Sequence, residues 1–296
     1  MKFCNFSFKN FKKIITSYIE ATLLTLILLF AFGIRMYYLL KTPQASGDEL
    51  IYDAHNYDVM VKQLLDKKIL GYASESPNAF TTPGFPIFLA IIYKIFGYAD
   101  GSPVMAVRVI QIILGTLTIL FLHLLAKHIS NWRVGLITAF FASIYLVAIW
   151  VPTTILTETL YTFLFILYLY IQFIAISKKS YVLNFAAGLT LAAAVLVRPL
   201  IAPLIVLPYI YYYLINRDKT LLKQFLFNAA GFVLLMMPWW IRNLVVLKKF
   251  VLFATQEDPL LRGTYPYGIG EENIPYTNQK QEAIKRIKEG FTNDFW

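Results

Sequence analysis

The chain has 296 residues, of which 58% are hydrophobic and only 15% are charged. A soluble domain carries about 25% charged residues, so this composition excludes an ordinary water-soluble fold. The formal net charge of +10 comes from basic residues scattered between apolar runs, which argues against nucleic acid as a partner. Cys4 is the only cysteine, and this excludes an intrachain disulfide framework and a thiolate metal site.

Apolar runs of about 18 residues or more recur along the chain, and each is long enough to cross a bilayer as a helix. Lipid offers no partner for a free backbone N–H or C=O, so these runs must be helical. The first run follows four lysines and lacks a small-residue cleavage site, which indicates a retained signal anchor with a cytoplasmic N-terminus. The sequence predicts seven spans, at about 19–40, 104–126, 134–150, 155–176, 182–197, 200–215 and 221–240.

Residues 41–103, between the first two spans, are predicted to form a long external loop that contains interfacial helices. From Asp53 onward the apolar spacing predicts an amphipathic helix with Tyr57, Met60, Val61 and Leu64 on its membrane side. Residues 85–96 are apolar, but they are too short and too closely flanked by proline for a full span.

The predicted fold class is therefore an all-α integral membrane protein with about seven transmembrane helices and interfacial helices in a long first external loop. We expect residues 1–250 to form the seven-helix module, with loop 41–103 nested within it, and residues 251–296 to form an external tail.

Basic residues fall in every turn that is cytoplasmic if the N-terminus is cytoplasmic, as the positive-inside rule requires. These residues are Lys127, His128, Arg133, Lys178, Lys179, Arg217, Lys219 and Lys223. The prediction is a multi-pass protein of the cell membrane whose first loop and C-terminal tail are external.

The same count places residues of both charge signs at or near the external face. They are Asp48, Glu49, Asp53, Asp58, Arg108, Glu158, Arg198 and Arg242. Ionisable groups at membrane depth are costly, so each is a candidate for function with a partner nearby.

Two of these groups have a structural interpretation beside the functional one. Asp53 lies one turn before Tyr57 and either acts as a base or caps the helix. Asp48 stands in the same relation to Tyr52, so spacing does not separate the two carboxylates. Arg198 and Arg242 either anchor helix ends at the interface or bind a lipid phosphate bidentately.

No cofactor is implied by these residues. The chain has three histidines and no metal site built of histidine ligands, so a divalent metal stays open without an identified ligand cluster.

Five motifs occur in one order over about 190 residues. They are Asp53-x-x-x-Tyr57, residues 78–90 (NAFTTPGFPIFLA), 156–161 (LTETLY), 196–199 (LVRP) and 238–243 (PWWIRN). With these motifs in this order, the chain resembles the glycosyltransferase-C superfamily. Within it, the chain is most similar to the bacterial protein-mannosyltransferase and aminoarabinose-transferase type, which is glycosyltransferase family 39-like.

The resemblance implies a membrane glycosyltransferase that moves a sugar from a polyprenyl-phosphate-linked donor to an acceptor on the external face. The acceptor class, whether protein, lipid or cell-envelope glycan, is open, and membrane lipid is the other expected partner. The family's loop aspartate, a general base, corresponds to Asp53 first and Asp48 second. Its phosphate-binding arginines correspond to Arg198, Arg242 and Arg108, with Glu158 and Tyr57 as supporting residues.

Two departures from the family pattern leave points open. The aminoarabinose branch has a lysine beside the proline-rich turn where this chain has Thr82-Pro83-Gly84, so the sugar is undetermined. Most relatives continue through more helices and a soluble domain, which leads us to expect a truncated member or only the seven-helix module. The alternatives are a non-catalytic remnant and a lipid or sugar transporter, although no internal repeat or Gly/Pro-broken helix pair favours transport.

Overall fold

The computed structural model describes the backbone of residues 2–41 and 52–255, and the side chains of residues 15–41 and 53–255. Over these ranges the protein is built of helices and loops, with no strand, and this confirms the all-α fold class. The helices are α1 (Lys2–Lys41), α2 (Tyr52–Lys67), α3 (Gly84–Phe96), α4 (Val104–Ile129), α5 (Trp132–Ile144), α6 (Leu146–Trp150), α7 (Glu158–Ser177), α8 (Tyr181–Val197), α9 (Leu207–Asn216) and α10 (Thr220–Arg242). A 3-10 segment, Pro199–Ile205, precedes α9, and a π-helical turn, Asn243–Leu247, follows α10.

Several of these helices are long and apolar enough to cross a membrane. Five helices of the described ranges pass this test: Ile15–Lys41, Val104–Ile129, Glu158–Ser177, Pro199–Asn216 and Thr220–Leu247. The bent pair α5 and α6 makes a sixth if it is one span. Helix α8 has 17 apolar residues and is shorter than the five. The chain is thus a membrane protein, and the predicted seven crossings require the bent pair and α8 to cross as well.

The predicted third span is broken rather than straight. Helices α5 and α6 meet at 68°, on either side of Tyr145, and neither glycine nor proline marks the break. The guanidinium of Arg35, fully buried in α1, donates from Nε to the carbonyl of Ala148 at 2.9 Å and from Nη1 towards that of Ser143 at 3.4 Å. Because lipid offers no partner to a free carbonyl, Arg35 stabilises the break from a neighbouring helix.

The predicted fourth span begins later than expected. Helix α7 begins at Glu158, which is therefore its first residue and does not lie one turn inside it. Pro152 lies in a 3-10 turn before the helix and has no N–H to donate to a longer helix. The buried amide of Gln111 donates to the carbonyl of Thr154 at 3.0 Å and so satisfies part of this irregular backbone.

The loop between the first two spans forms two helices, α2 and α3, as predicted. However, the apolar face of α2 does not face the membrane. Tyr57, Met60 and Val61 are buried in a core with α3 and α4, and Leu64 is partly buried. The ring of Tyr57 meets that of Phe85 edge to face at a centroid distance of 5.0 Å. The apolar spacing was read correctly, but α3 folds back and covers this face.

One buried carboxylate ties the loop together. Asp58 is only 4% exposed, and its Oδ1 accepts from the hydroxyls of Tyr93 and Ser102, each at 2.5 Å. Its Oδ2 lies 2.9 Å from Nζ of Lys62. These contacts join α2 to α3 and to the segment before α4. A buried charge is stable only when it is paired in this way.

Small residues and amides join the later helices. A Cβ added at Gly188 of α8 would lie 1.9 Å from the carbonyl oxygen of Asn228 in α10, so only glycine permits this approach. The amide of Asn228 donates to Gln172 in α7 at 2.9 Å, and Gln172 donates to the hydroxyl of Tyr209 in α9 at 3.0 Å. Small residues at close contacts and amides bonded between helices are typical of membrane bundles.

Three basic turns lie at one end of the helices. Nε2 of His128, at the end of α4, is 3.4 Å from the hydroxyl of Ser177, at the end of α7. Nζ of Lys179, in the next turn, donates to Asp218 before α10 at 2.7 Å. Lys179 and the Thr220 N–H lower the pKa of Asp218 to about 2. Since α7 and α8 run the length of the bundle, Glu158 and Arg198 lie at the opposite end.

Two predictions fall on residues that the structure does not describe. Asp48 and Glu49 lie outside the described ranges, as does the predicted tail beyond Thr255. The boundary between module and tail therefore stays a prediction.

Candidate functional site

Four of the residues selected from the sequence meet at the end of the bundle opposite the basic turns. Arg198 donates from Nη2 to the carboxylate of Glu158 and from Nε to the hydroxyl of Thr157 at 2.7 Å. The hydroxyl of Tyr57 lies within electrostatic reach of Asp53, Glu158 and Arg198. Burial, and next the Asp53 carboxylate, raise the pKa of Tyr57 to about 12, while Arg198 acts in the opposite direction. The fold thus brings together four interacting polar groups from distant parts of the chain: Asp53, Tyr57, Glu158 and Arg198.

Helix ends place the charged pair. Helix α8 ends at Val197, because Pro199 follows, and Arg198 takes an extended conformation with φ −146°. Glu158 is the first residue of α7, and a carboxylate is stabilised at a helix N-terminus by the free N–H groups and the helix dipole. The ion pair between Glu158 and Arg198 therefore joins the start of α7 to the end of α8.

The proline-glycine turn before α3 packs against the same helix end. The hydroxyl of Thr82 donates to the carbonyl of Val197 at 3.0 Å. A Cβ added at Gly84 would lie 2.6 Å from the carbonyl oxygen of Leu196. Glycine is required here because the backbones of α3 and α8 are in close approach, and the turn fixes the loop beside Arg198.

Asp53 is held by a residue that sequence reasoning did not select. The hydroxyl of Tyr72 donates to Oδ1 of Asp53 at 2.5 Å, and Nδ2 of Asn56 lies 3.4 Å from that hydroxyl. Burial and this hydrogen bond raise the pKa of Tyr72. Among the described residues, the Asp53 carboxylate accepts no bond from a backbone N–H, as a capping role would require. The contact joins residues 19 positions apart, so no local pattern marked Tyr72.

The other two candidate arginines bind backbone carbonyls. Arg108 is buried, and its Nε donates to the carbonyl of Thr153 at 2.8 Å, in the irregular segment before α7. Arg242 donates from Nη1 to the carbonyl of Asn78 and from Nη2 to that of Leu70, both at 2.8 Å. The structure therefore separates Arg198, which is 45% exposed at its side chain, from two arginines that hold loops.

No group of three potential metal ligands from His, Cys, Asp and Glu occurs within the described part of the chain. The candidate site therefore consists of the Asp53 carboxylate, the Tyr57 phenol and the Glu158–Arg198 ion pair, at the end of an apolar helix bundle.

The comparison with protein families identifies this class of membrane protein. Residues 80–241, more than half of the chain, match the model of the dolichyl-phosphate-mannose-protein mannosyltransferase family. The chain belongs to this family, which confirms the resemblance to the glycosyltransferase-C superfamily. No curated protein sequence matches the chain.

The matched region contains Arg108, Glu158 and Arg198 and ends one residue before Arg242, whereas Asp53 precedes it. Membership indicates glycosyltransferase-type activity in a membrane protein. The family also implies a polyprenyl-phosphate-linked sugar as donor and an acceptor for that sugar.

Proposed function

We propose that this protein transfers a sugar from a polyprenyl-phosphate-linked donor to an acceptor hydroxyl or amine at the external face of the cell membrane. Family membership supports the class of reaction. The observation that carries the proposal is the meeting of Asp53, Tyr57 and the Glu158–Arg198 pair at the end of the bundle opposite the basic turns. A donor whose lipid tail lies in the bilayer presents its phosphate at such a helix end.

Arg198 is proposed as the ligand of the donor phosphate. Its side chain is partly exposed, and Glu158 and Thr157 hold Nη2 and Nε. These contacts orient the planar guanidinium, which matches phosphate geometry better than an ammonium group. The sugar–phosphate bond breaks with negative charge developing on the phosphate, and a fixed cation stabilises that charge in the transition state.

Asp53 is proposed as the general base. The acceptor oxygen or nitrogen attacks the anomeric carbon, the bond from that carbon to the phosphate oxygen breaks, and polyprenyl phosphate leaves. The acceptor proton passes to the carboxylate. Tyr72 occupies Oδ1 of Asp53, while Oδ2 accepts no hydrogen bond within the described part of the chain and is available for that proton. Asp48 is the alternative base.

Arg108 and Arg242 support the site indirectly under this proposal. Arg108 fixes the segment before Glu158, and Arg242 fixes the loop that carries Tyr72, the hydrogen-bond partner of Asp53. Tyr57 stands beside both carboxylates. A tyrosine hydroxyl is already neutral at neutral pH, and burial raises the pKa of Tyr57 further, to about 12, so the hydroxyl can donate a hydrogen bond to the sugar or the phosphate.

The test is transfer by the purified full chain in lipid nanodiscs, with a panel of polyprenyl-phosphate-linked sugars and with peptide, lipid and glycan acceptors. Asp53→Asn keeps the size of the side chain and removes the base, so turnover should fall by about 100-fold or more, with donor binding retained. Arg198→Lys should weaken donor binding, because lysine lacks the planar fork. Asp66→Asn, which alters an exposed carboxylate of α2 bonded to Tyr98 at 2.8 Å, is the matched control.

Asp48→Asn separates the two possible bases. A greater loss in this variant than in Asp53→Asn would assign the base to Asp48. Donor binding without transfer to any acceptor would identify a non-catalytic remnant. Passage of the intact donor across a vesicle membrane without transfer would identify a transporter.

A further inference from the structure

The connection between α2 and α3 is irregular in backbone conformation and yet closely held. Oδ1 of Asn78 accepts from the N–H groups of Tyr72 and Phe80 at 3.1 and 3.2 Å, and Nδ2 of Asn78 donates to the carbonyl of Tyr72 at 3.0 Å. The N–H of Asn78 donates to the carbonyl of Leu70 at 3.1 Å. The segment from Leu70 to Asn78 is therefore a closed loop around one asparagine side chain.

Arg242 is the residue that attaches this loop to the membrane helices. It is the last residue of α10, and its two Nη atoms donate to the carbonyls of Leu70 and Asn78, the two ends of the loop. The guanidinium also lies over the ring of Trp239 at 5.3 Å. Nη1 also donates to Oδ1 of Asn243 at 2.9 Å, so three of the five N–H donors of the guanidinium bind groups of the protein itself.

Tyr72 lies between the two residues that Arg242 holds. Its ring is stacked with that of Phe80 at 5.4 Å and is buried, and its hydroxyl donates to Asp53 at 2.5 Å. Asp53 itself is exposed at the start of α2. The position of its carboxylate therefore depends on a loop that is anchored from a helix 170 or so residues further along the chain.

We propose that Arg242 is a positioning residue, which acts through the loop 70–78 and the hydroxyl of Tyr72 to hold the carboxylate of Asp53 at the reacting centre. The inference rests on the proposed function, in which Asp53 takes the acceptor proton. It replaces the expectation from family resemblance that Arg242 binds the donor phosphate directly.

The two roles of Arg242 differ in which kinetic constant they control. A phosphate ligand contributes to donor binding, so its loss raises the donor KM. A positioning residue controls the alignment of the base, and misplacement by about 1 Å costs up to about 100-fold in rate. We expect Arg242→Gln to lower kcat by about 10- to 100-fold and to leave the donor KM within about twofold.

A double-mutant cycle with Tyr72→Phe tests whether Arg242 acts through Tyr72. If it does, kcat of the Arg242→Gln, Tyr72→Phe double variant should be no lower than that of the more damaged single variant. Arg242→Lys should retain part of the rate, because one ammonium can reach one carbonyl but cannot bridge both. Arg133→Gln removes an exposed arginine that lies over Trp132 at 5.5 Å and serves as the matched control.

A measurement independent of activity separates failure of this inference from failure of the proposed function. The N–H of Tyr72 donates to Asn78, so hydrogen exchange of residues 69–80 reports on the loop in the intact protein. Arg242→Gln should accelerate that exchange while exchange in α7 and α8 stays as in the wild type. Unchanged exchange in the loop would overturn the inference whether or not the protein transfers a sugar.

An active protein gives a second route to rejection. A tenfold rise in the donor KM of Arg242→Gln with kcat unchanged, or full additivity in the double variant, would return Arg242 to phosphate binding. Accelerated hydrogen exchange throughout the bundle would show that Arg242→Gln does not fold. In that case kcat, the donor KM and hydrogen exchange are measured on Arg242→Lys and on Asn78→Ala. The inference then requires that both variants have a lower kcat and faster exchange in residues 69–80.

Discussion

The acidic residues of α2 show how differently neighbouring carboxylates are used. Asp53 is exposed and bonded to one hydroxyl, whereas Asp58, five positions later, is buried with two hydroxyls and an ammonium as partners. Sequence reasoning placed both among the external charges. The structure separates them by burial, and Asp58 holds the loop rather than meeting a substrate.

Asp58→Asn should therefore destabilise the protein without acting on chemistry. The amide oxygen can still accept from both hydroxyls, but these bonds are weaker than those to a carboxylate, and the amide nitrogen cannot pair with Lys62. The loss should therefore be about 1.5–3 kcal/mol. For a domain of about 200 residues this lowers the melting temperature by roughly 2–4 °C per kcal/mol. Thermal unfolding in detergent, followed by tryptophan fluorescence, measures it. Asp66→Asn, at an exposed site of the same helix, should melt within about 1 °C of the wild type; an equal loss in the two variants would contradict the assigned role of Asp58.

At the scale of helices, tertiary packing decides where the helix bounds predicted from apolar runs agree with the structure. The sequence predicted α1, α4, α8 and α10 within a few residues at most ends, because long apolar runs in lipid have no alternative to the helix. It missed the break between α5 and α6, because the residue that stabilises the break, Arg35, lies more than 100 positions earlier. It also began α7 at position 155 instead of Glu158, because the irregular segment before this helix is stabilised by side chains from elsewhere in the chain, such as Gln111.

The contact between α8 and α10 predicts a second stability effect. In Gly188→Ala the new methyl group would overlap the carbonyl oxygen of Asn228, so the helices must separate. Overpacking of this kind costs about 1–3 kcal/mol, and it should also disturb the bond from Asn228 to Gln172. The measurement is again thermal unfolding. Gly33→Ala, in α1, meets nothing within 4 Å and should be neutral or stabilising; equal melting temperatures for the two variants would exclude the tight contact.

At the scale of the whole molecule, charge is distributed between two ends. The turns that carry Lys127, Lys179 and Arg217 lie at one end, while Asp53, Glu158 and Arg198 lie at the other. The positive-inside rule then predicts that the first end is cytoplasmic and the second external. The external orientation of the site is a prediction from this rule.

Cysteine labelling measures this orientation. In a Cys4→Ser background, Ser177→Cys should react with a membrane-impermeant maleimide only after the cells are opened, because it lies beside the basic turns. Glu75→Cys, exposed in the loop between α2 and α3, should react in intact cells. Thr264→Cys, in the predicted tail, should behave like Glu75→Cys. Labelling of Ser177→Cys and Glu75→Cys from the same side would exclude the proposed topology.

The sequence by itself determined the class of protein. Composition excluded a soluble fold, apolar run length required membrane helices, and five ordered motifs indicated the glycosyltransferase family that the comparison of residues 80–241 confirms. These features are local or depend only on order along the chain. The topology count also marked Asp53, Glu158 and Arg198 as candidates at the external face, and the family resemblance added Tyr57 as a supporting residue.

Only the tertiary structure decided what those candidates touch. The pairing of Glu158 with Arg198, the bond from Tyr72 to Asp53 and the attachment of loop 70–78 by Arg242 join residues 19 to 172 positions apart. A hydrogen bond depends on distances that helix packing sets to within about an ångström, and the apolar periodicity of the sequence does not predict those distances. For the same reason, the sequence did not distinguish the three candidate arginines. In the structure Arg198 is partly exposed, whereas Arg108 and Arg242 donate hydrogen bonds to backbone carbonyls.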